Sequence, residues 1–535
     1  MSGRSRRRVG VPAIAAALGI AASVALGGTS AATAADPGPL DCGTVEEQRQ
    51  PVPGAEREAV LDTLPVGTTW AGHYVDQALL TAGDDQYVAY YDATRRLTVA
   101  HRTLDTDEWT QVRLDQTTGW DSHNYLTMAV DRDGHLHVSG NMHNAPLVYF
   151  RTTEAGDVTS LTRVPTMVDP ELEQRVTYPV FLELQDGTVI FRYRDGSSGS
   201  GVDIYNEYDE STQTWRGLVD TALLDGEGER NAYAAKPVLG PDGKYHMVWV
   251  WRDTPNAATS HTVSYARTAD LVNWETSSGE PLTLPITFDT SDVVDPVPPF
   301  GGTINNNVQV GFDSAGAPVV AYHKYDEEGN TQVYVARPSE SGSGWDNIQV
   351  SDWTGAWEFG QTGTLVFQVE IYWAPELQPD GNLRLDVTCK GDARTFILDG
   401  STLQPIEEIA TPPSVPSQVS EVRSDYQHEH QGELGTDMQV NLNDDSGDAG
   451  PFHQMPAVRD PDVDSRSLLR WESLGENRDR PRAQWPEAQP LEVNVLGTMD
   501  ACKHGGWQEF FNPGFANQDE CVAWVQTSAG PASSR

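Results

Sequence analysis

The sequence predicts an all-β fold, a seven-bladed β-propeller with a small disulfide-closed appendage at its C-terminal end. Two observations lead to this prediction. The chain is rich in residues that form turns, with 48 Gly and 34 Pro, and such a composition favours many short strands over long helices. A unit made of a Gly-containing turn and alternating strands also recurs along the chain, and a repeat of this kind is typical of propellers.

The repeated unit begins with a turn glycine, often in an Asp-Gly pair, and continues into a strand in which apolar and polar residues alternate. A second strand and a polar turn follow, and a Trp that we expect to pack between blades often comes next: Trp109, Trp215, Trp274 and Trp345. The turn glycines are Gly83, Gly134, Gly187, Gly243, Gly316 and Gly381. Six units are visible, so we expect the two ends of the chain to close a seventh. A stack of β-sandwich domains is the alternative, but the repeat runs on without a linker.

The chain is strongly acidic. Its 535 residues include 36 Lys+Arg and 78 Asp+Glu, for a formal net charge of −42, and 38% of the residues are hydrophobic. This hydrophobic content is that of a globular protein rather than a disordered one. The negative charge excludes bulk electrostatic binding to nucleic acid or to an anionic membrane. An anionic substrate would need basic groups gathered at one place.

The first 35 residues have the pattern of a signal peptide. Four arginines, at positions 4 and 6–8, precede an apolar run from Val11 to Leu26, and small residues follow up to Ala35. A retained membrane anchor is the alternative, but the run is short and ends in small residues. No later apolar stretch reaches ~18 residues, the length that spans a membrane. We therefore expect a secreted, soluble, extracellular protein, and a monomer.

The propeller is expected over residues 60–495, and the compositionally distinct C-terminal appendage over residues 498–535. An even number of cysteines in an exported chain favours disulfides. The four cysteines are Cys42, Cys389, Cys502 and Cys521. They allow three pairings, of which we favour Cys502–Cys521, closing a short loop in the appendage, together with Cys42–Cys389.

Three segments place polar side chains where a purely structural strand would carry Val or Thr. GWDSHNYLTM contains His123 and Asn124, SGNMHNAPLVYF contains His143, and RVTYPVFLELQDGTVIFRYRDG contains Tyr178 and Arg194. Each residue alone has a structural interpretation: a core His, a packing Tyr, an Arg in a turn ion pair. Equivalent positions of adjacent blades converge near the axis of a propeller, however. We therefore predict that the two His, the Tyr and the Arg are catalytic residues of one pocket, with Asn124 binding substrate.

These side chains suit the β-elimination of a uronic acid within a polysaccharide. The C5 proton of a uronate is poorly acidic beside an ionised carboxylate, and an Arg helped by Asn or His can neutralise that carboxylate and stabilise an enolate-like transition state. A Tyr or His can remove the proton, and a Tyr or His can protonate the departing O4. No cofactor is required. For a glucuronate one group could serve both steps, whereas an iduronate needs two.

The chain resembles the BNR-repeat-containing family of secreted seven-bladed propellers, which includes ulvan lyases and rhamnose–glucuronate lyases acting on gum arabic-type arabinogalactan. The resemblance covers about Trp70 to Arg482 and lies in segments such as WAGHYVDQALL, GWDSHNYLTMAVDRDGHLHVSGNMHN, RVTYPVF, FRYRDG, NAYAAKP and WVWRDTPNAATSHTVSYAR. It implies that His123 and His143 line the catalytic pocket, that Tyr178 is base, acid or both, and that Arg194 neutralises the uronate.

The same resemblance implies further candidates. Tyr233 and Arg252 become candidates for substrate binding. Family members can carry a structural metal site in the region that here reads HMVWVWRDTPNAATSHTV, which makes His246 and His261 candidate ligands; Ala257 stands where a Cys ligand would be expected. A structural calcium or zinc ion would be compatible with the fold.

Two other functions compete with a lyase acting on an acidic polysaccharide that contains rhamnose and uronate. Related propellers include α-L-rhamnosidases, for which His73 in WAGHYVD is the candidate residue. A glycoside hydrolase usually needs a pair of carboxylates, however, and no persuasive pair is evident. A non-catalytic glycan-binding propeller is the other alternative, but it would not need His123, His143, Tyr178 and Arg194 in one pocket.

Overall fold

The computed structural model describes residues 38–45, 58–342, 344–360, 362–363, 365–411, 415–427, 435–448 and 465–528. The predicted signal peptide, residues 1–35, lies outside the described residues. Within these ranges the strands form seven sheets in which all pairings are antiparallel, and helices are few and short. The prediction of an all-β fold is confirmed.

Sheets 1 to 3 follow one another along the chain. Sheet 1 has the strand order β2–β3–β4–β5 and consists of β2 (Ala78–Ala82), β3 (Asp85–Tyr91), β4 (Arg96–Thr103) and β5 (Thr110–Thr117). Sheet 2 has the order β6–β7–β9–β10 and consists of β6 (Leu126–Val130), β7 (Leu136–Gly140), β9 (Tyr149–Thr152) and β10 (Leu161–Arg163). Sheet 3 has the order β8–β11–β12–β13–β14 and consists of β8 (His143–Ala145), β11 (Val176–Glu183), β12 (Val189–Ser197), β13 (Ser200–Asp209) and β14 (Thr214–Gly217). Strand β8 thus lies between β7 and β9 in sequence but belongs to the next sheet.

Sheets 4 to 6 continue this pattern. Sheet 4 consists of β15 (Asn231–Ala234), β16 (Val238–Leu239), β17 (Tyr245–Arg252), β18 (Ser260–Thr268), β19 (Trp274–Glu275) and β20 (Asp292–Asp295). Sheet 5 consists of β21 (Gln309–Phe312), β22 (Pro318–Tyr325), β23 (Thr331–Pro338) and β24 (Trp345–Gln349). Sheet 6 consists of β25 (Val369–Glu370), β26 (Glu376–Leu377), β27 (Leu383–Cys389), β28 (Asp392–Leu398) and β29 (Pro405–Ala410). Consecutive strands within each sheet are joined mainly by tight turns.

Sheet 7 joins the two ends of the strand-forming region. It has the order β1–β32–β31–β30 and consists of β1 (Ala59–Thr69), β30 (Met438–Asn443), β31 (Ser465–Leu474) and β32 (Gln489–Gly497). The first strand of the chain therefore pairs with its last strand, from Ala59 opposite Gly497 to Thr69 opposite Gln489. The two ends of the strand-forming region therefore share one sheet.

The repeated glycines occupy equivalent places in sheets 1 to 6. Each lies in the turn before a long central strand and has a positive φ, between 61° and 89°. A glycine adopts this conformation at little cost, whereas a side chain would be strained there. The glycines are Gly83, Gly134, Gly187, Gly243, Gly316 and Gly381. The repeat in the sequence is therefore a repeat of hairpin turns.

The core is formed where consecutive sheets pack against each other. One apolar cluster runs through sheets 1 to 4 and includes Val138, Phe181 and Trp249. Another joins sheet 7 to sheet 1, with Trp471 packed in the same cluster as Val88. The four Trp residues that follow second strands contact these clusters or the one between sheets 4 and 5.

The helices are short. The α-helices are α1 (Ser417–Ser420) and α2 (Gln518–Ser528), and the 3-10 segments are Ser122–Asn124, Val158–Ser160, Leu172–Gln174, Ala257–Thr259, Phe288–Thr290 and Met499–Glu509. In the described part of the chain, none of these helices has the length and apolar character needed to cross a membrane. Both expected disulfides are formed, Cys42–Cys389 and Cys502–Cys521, and the second links the 3-10 segment to α2 within the appendage.

Candidate active site

A short loop after β5 positions two histidines. Asp121 caps the 3-10 helix Ser122–Asn124, and its Oδ1 accepts a hydrogen bond from the backbone N of His123 at 3.0 Å. The same carboxylate lies 2.8 Å from Nδ1 of His123 and 2.6 Å from Nδ1 of His143, the first residue of β8. The two imidazoles are stacked, with ring centres 4.0 Å apart. One carboxylate therefore holds both rings.

The charges of this group follow from its contacts. Burial raises the pKa of Asp121, but the hydrogen bonds from His123 and His143 outweigh burial, so its pKa lies below the usual range. An ionised carboxylate only accepts hydrogen bonds, so both imidazoles donate from Nδ1. Burial lowers the pKa of His123, against the influence of Asp121. A neutral His123 with its proton on Nδ1 presents Nε2 as a proton acceptor.

Tyr178 is placed by an irregularity in β11. Its φ is +57°, a conformation that is strained for an aromatic residue, and the pairing of β11 with β12 shifts register between Thr177 and Val180. Pro179 follows directly. The Tyr178 ring lies 5.6 Å from that of His123. Burial, reinforced by Tyr233, raises the pKa of Tyr178 to about 12, so its phenol is protonated at neutral pH.

Thr177 is the point where these elements meet. It pairs with His143 of β8 on one side and with Arg194 of β12 on the other. The Thr177 hydroxyl also accepts a hydrogen bond from the backbone N of Asn144 at 2.7 Å. The register of sheet 3 therefore brings His143, Tyr178 and Arg194 to one place, although they lie up to 51 residues apart in the sequence.

Arg194 is a buried cation that lacks a full set of partners. Its side chain is 2% exposed, and its Nε and Nη1 atoms have no hydrogen-bond partner among the described residues. Its Cζ atom lies 4.8 Å from the ring centre of Tyr178 and 5.7 Å from that of Tyr233. The nearest carboxylate across the strand, Asp203, instead binds Arg192 at 2.9 Å. A buried, incompletely bonded guanidinium that lines a cavity is suited to bind an anion.

Tyr233 and Arg252 complete this side of the site. Arg252 lies over the Tyr233 ring, 4.2 Å from its centre, and donates from Nη1 to the Tyr233 hydroxyl at 3.3 Å. Ser198 lies 2.5 Å from the same hydroxyl. Burial raises the pKa of Tyr233, but the charges of Arg252 and Arg194 outweigh it, so the pKa is lowered. Arg252 also bonds to Ser260 and Asn305.

These side chains open onto one cavity of about 850 Å³. The sequence-predicted residues that line it are His123, His143, Tyr178, Arg194, Tyr233 and Arg252. Three carboxyl side chains that the sequence analysis does not identify also line it: Asp76, Glu370 and Glu476. They come from chain positions that no local motif connects. The cavity is large enough for several sugar units of a polysaccharide.

Two of the predicted residues lie outside the cavity lining. Asn124 is buried, its side-chain amide donates to the Thr118 hydroxyl at 3.3 Å, and it is not among the described residues that line the cavity. His73 is 1% exposed, and burial lowers its pKa to about 4. Its Nε2 lies 4.0 Å from Asp479, and it too is absent from the described lining.

The structure does not bring the two predicted metal ligands together. His246 bonds through Nδ1 to Tyr265 at 2.5 Å and through Nε2 to Asp242 at 3.0 Å. His261 lies 3.0 Å from Asp253 and pairs with Trp251, five positions along β17 from His246. Five strand residues correspond to about 16 Å. Each imidazole has its own polar partners instead of a shared ligand position.

Another group of side chains has the arrangement of a metal site. The ligand atoms of Asp121, His123 and His143 all lie within 4.8 Å of one another. Carboxylate and imidazole are ordinary ligands for a divalent cation such as zinc. This trio could therefore hold a cation, but only in place of the hydrogen bonds between Asp121 and the two Nδ1 atoms.

Comparison with known proteins assigns the family. The model of the BNR repeat-containing family matches residues 85–353, which is half of the chain. The chain belongs to this family. As a BNR-repeat protein it is 26% identical over 235 residues to the long isoform of ulvan lyase from Pseudoalteromonas sp. (strain PLSV) and 27% identical over 171 residues to the short isoform from Alteromonas sp. (strain LOR).

These matches are partial. They cover 40% and 30% of this BNR-repeat chain, and only 23% and 32% of the two ulvan lyases. Among solved structures, the crystal structure of polysaccharide lyase Uly1 is similar with a TM-score of 0.52 and 12% identity, covering 83% of this chain and 99% of that one. At this identity the likeness concerns the fold.

Proposed function

We propose that this protein is a polysaccharide lyase that cleaves a rhamnose- and uronate-containing glycan, of the ulvan or gum arabic type, by β-elimination at the uronate. One observation supports this proposal above all. Arg194, a buried cation with two nitrogen atoms lacking partners, lines the same cavity as Tyr178 and the histidine pair held by Asp121.

In the proposed reaction Arg194 binds the uronate carboxylate. A guanidinium there disperses the negative charge that develops when the C5 proton leaves, and this makes that proton more acidic. Arg194 forms no ion pair within 4.0 Å among the described residues, so binding a carboxylate would not break one. Arg252 donates a hydrogen bond to the Tyr233 hydroxyl and so holds the Tyr233 ring beside Arg194.

Proton transfer falls to the histidines and Tyr178. A neutral imidazole takes the C5 proton on Nε2, the C4–O4 bond breaks, and a C4=C5 double bond forms. Tyr178, which is protonated at neutral pH because burial raises its pKa, donates its proton to the departing O4. Asp121 keeps the proton of each histidine on Nδ1 and so leaves Nε2 for the reaction. The proposed steps use no metal or organic cofactor.

The larger architecture is part of the proposal. We propose that sheets 1 to 7 are the blades of a seven-bladed propeller. Two observations support this: apolar clusters join consecutive sheets, and β1 pairs with β32 in the last sheet. The two disulfides suit an oxidising compartment, and we propose that the protein is secreted and acts as a monomer on an acidic polysaccharide.

The test is to incubate the protein with ulvan and, separately, with gum arabic, and to follow the ultraviolet absorbance of the unsaturated uronate. A rise with either polymer supports the elimination. Release of free rhamnose without a rise would instead indicate hydrolysis and direct attention to His73. His73→Ala is the matched variant: a lyase should keep its rate, because His73 is absent from the described lining of the cavity.

A further inference from the structure

The described cavity lining contains two cationic side chains, Arg194 and Arg252. Arg252 is engaged within the protein: its Nε donates to the Ser260 hydroxyl at 2.9 Å, its Nη1 donates to Tyr233, and its Nη2 bonds to the side-chain oxygen of Asn305. Arg194 is the one with nitrogen atoms that lack partners in the described structure. Among the described lining residues, Arg194 is therefore the cation that is available to bind an anionic group.

Another region of the same cavity is acidic. Asp76, Glu370 and Glu476 line it. Burial, reinforced by the charges of Asp479, Glu370 and Asp76, raises the pKa of Glu476 to about 8, so its carboxyl is largely protonated at neutral pH and the negative charge of this region lies on Glu370 and Asp76. These side chains come from sheet 6 and from the segments beside sheets 1 and 7, whereas Arg194 belongs to sheet 3. The two regions of opposite charge are therefore supplied by different parts of the chain.

The carboxylates of the acidic region accept hydrogen bonds from uncharged donors. Thr388 donates to Glu370 Oε2 at 2.7 Å, and Tyr372 donates to the other oxygen of that carboxylate. No Lys or Arg among the described residues forms an ion pair with Glu370. Tyr74 and Asn443 donate to Asp76. Hydrogen bonds from uncharged donors leave the negative charge of a carboxylate in place, so this region would repel an anionic substituent.

We infer that the cavity accepts a single anionic group, the uronate carboxylate at Arg194, and selects against a sugar that carries a second one, such as a sulfate ester on the neighbouring rhamnose. This inference rests on the proposed function and narrows it: the preferred substrate is a rhamnose–uronate glycan without sulfate. Asp76 and Glu370 are then specificity-determining residues, because their negative charges repel a second anionic group on the sugar.

The experiment compares one backbone with and without sulfate. Initial rates of unsaturated uronate formation are measured on native ulvan, which is sulfated, on chemically desulfated ulvan, and on gum arabic as a naturally unsulfated polymer. We expect kcat/KM on desulfated ulvan to exceed that on native ulvan by about 10- to 100-fold. The ratio should narrow as salt is raised, because salt screens the repulsion between carboxylates and sulfate.

A variant ties the discrimination to the acidic region. Glu370→Gln keeps an acceptor for Thr388 but removes the charge, so the ratio should fall about tenfold, because kcat/KM on native ulvan rises toward the value on desulfated ulvan. Glu407→Gln is the matched control, since Glu407 is an exposed residue of β29 in the same sheet and does not line the cavity. Should Glu370→Gln prove unstable, the salt series on the wild-type protein tests the same repulsion.

The outcomes separate the two proposals. Equal rates on native and desulfated ulvan, or a preference for the sulfated polymer, would overturn the inference and leave the lyase activity in place. The inference would also be overturned if neither Glu370→Gln nor added salt changed the ratio of kcat/KM on desulfated ulvan to that on native ulvan. The preference for the desulfated polymer would then not come from repulsion by the acidic region. Absence of unsaturated product from all three polymers would overturn the proposed function, and the inference with it.

Discussion

The Asp121 carboxylate lies 2.6 Å from Nδ1 of His143 and joins this residue to His123, whose Nδ1 lies 2.8 Å from its other oxygen. Two imidazoles that stack at 4.0 Å would repel each other if both were charged. Burial and the neighbouring His143 lower the pKa of His123, whereas Asp121 acts to raise it, so what Asp121 fixes is the position of the proton on Nδ1 of each ring. Asp121 is therefore a positioning residue for the proposed base.

Asp121→Asn tests this role. An amide can donate as well as accept a hydrogen bond, so the histidines lose their fixed tautomer, and we expect kcat to fall by about 100-fold or more with a smaller change in KM. The acid limb of the pH profile should also move, which a merely structural residue would not cause. Asp115→Asn is the matched control, because the Asp115 side chain is fully exposed and pairs only with surface Arg96. Wild-type kcat in Asp121→Asn would contradict the assignment.

Two arginines on β12 allow a sharp comparison. Arg192 is bonded to Asp203 and to the carbonyl oxygens of Ala234 and Ala235, whereas two nitrogen atoms of Arg194 lack partners in the described structure. We expect Arg194→Met to lower kcat/KM by about 100- to 1,000-fold and to leave the melting temperature unchanged or slightly raised. Arg192→Met should destabilise the fold by about 3–5 kcal/mol, because Asp203 is then buried without its partner.

The measurements are initial rates and thermal melts on the same preparations. The prediction is that activity and stability separate: one substitution removes turnover and the other removes stability. A loss of stability in Arg194→Met equal to that in Arg192→Met would show that Arg194 is a structural residue, and the anion site would have to be sought elsewhere in the cavity.

The sequence locates part of this site because strand alternation makes exceptions visible. His123, His143, Tyr178 and Arg194 break the apolar pattern, and all four line the cavity. Asp121 is not visible in this way, since an Asp before a short helical turn has the ordinary pattern of a helix cap. Asp76, Glu370 and Glu476 are polar residues from three segments that are distant in sequence. Only the arrangement of different sheets around the cavity brings them together.

The fold, like the site, has parts that the local sequence predicts and parts that depend on contacts between distant segments. Glycines in tight turns repeat locally, so the sequence predicts the hairpins of sheets 1 to 6. The crossing of β8 into sheet 3 depends on a non-local pairing of three residues with β11, which no period in the sequence reveals. That crossing places His143 opposite Thr177 and beside Tyr178. The candidate site thus depends on the part of the topology that is hardest to predict.

The pH profile distinguishes the candidate bases. The pKa of His123 is lowered by burial, so the imidazole stays neutral, and able to accept a proton, below its usual pKa of 6.5. Activity should therefore be lost only as the pH falls through that lowered pKa, with the midpoint of the acid limb of kcat/KM below 6.5. Tyr178, with a pKa raised to about 12, should remain a proton donor across the measurable alkaline range. A rate that climbs steadily through alkaline pH would indicate a tyrosinate base instead.

Chelation tests whether Asp121, His123 and His143 act as proton-transfer groups or as metal ligands. Dialysis against EDTA should leave the rate unchanged, because the proposed elimination uses only side chains. Added Zn²⁺ should inhibit by occupying the three ligand atoms that lie within 4.8 Å of one another, and EDTA should reverse the inhibition. Loss of activity in EDTA that a divalent cation restores would show that a metal takes part in the reaction.

The C-terminal appendage should contribute to stability and not to turnover. Its backbone N atoms at Phe511 and Asn512 donate to Asp62 of β1 at 2.6 and 2.7 Å, and Trp524 donates to the carbonyl oxygen of Val60 at 2.9 Å. These contacts cover the strand that pairs with β32 to close sheet 7. We therefore expect truncation after Thr498 to lower the melting temperature while kcat is kept below the transition.

A second variant of the appendage distinguishes the stabilisation from its disulfide from the stabilisation by its contacts with β1. The double substitution Cys502→Ser and Cys521→Ser opens a loop of 19 residues, which is expected to cost about 2–4 kcal/mol of local stability. Because no described residue of the appendage lines the cavity, KM on long and short substrates should be unchanged. A rise in KM confined to the long polymer, with the melting temperature preserved, would instead assign the appendage a role in holding the glycan.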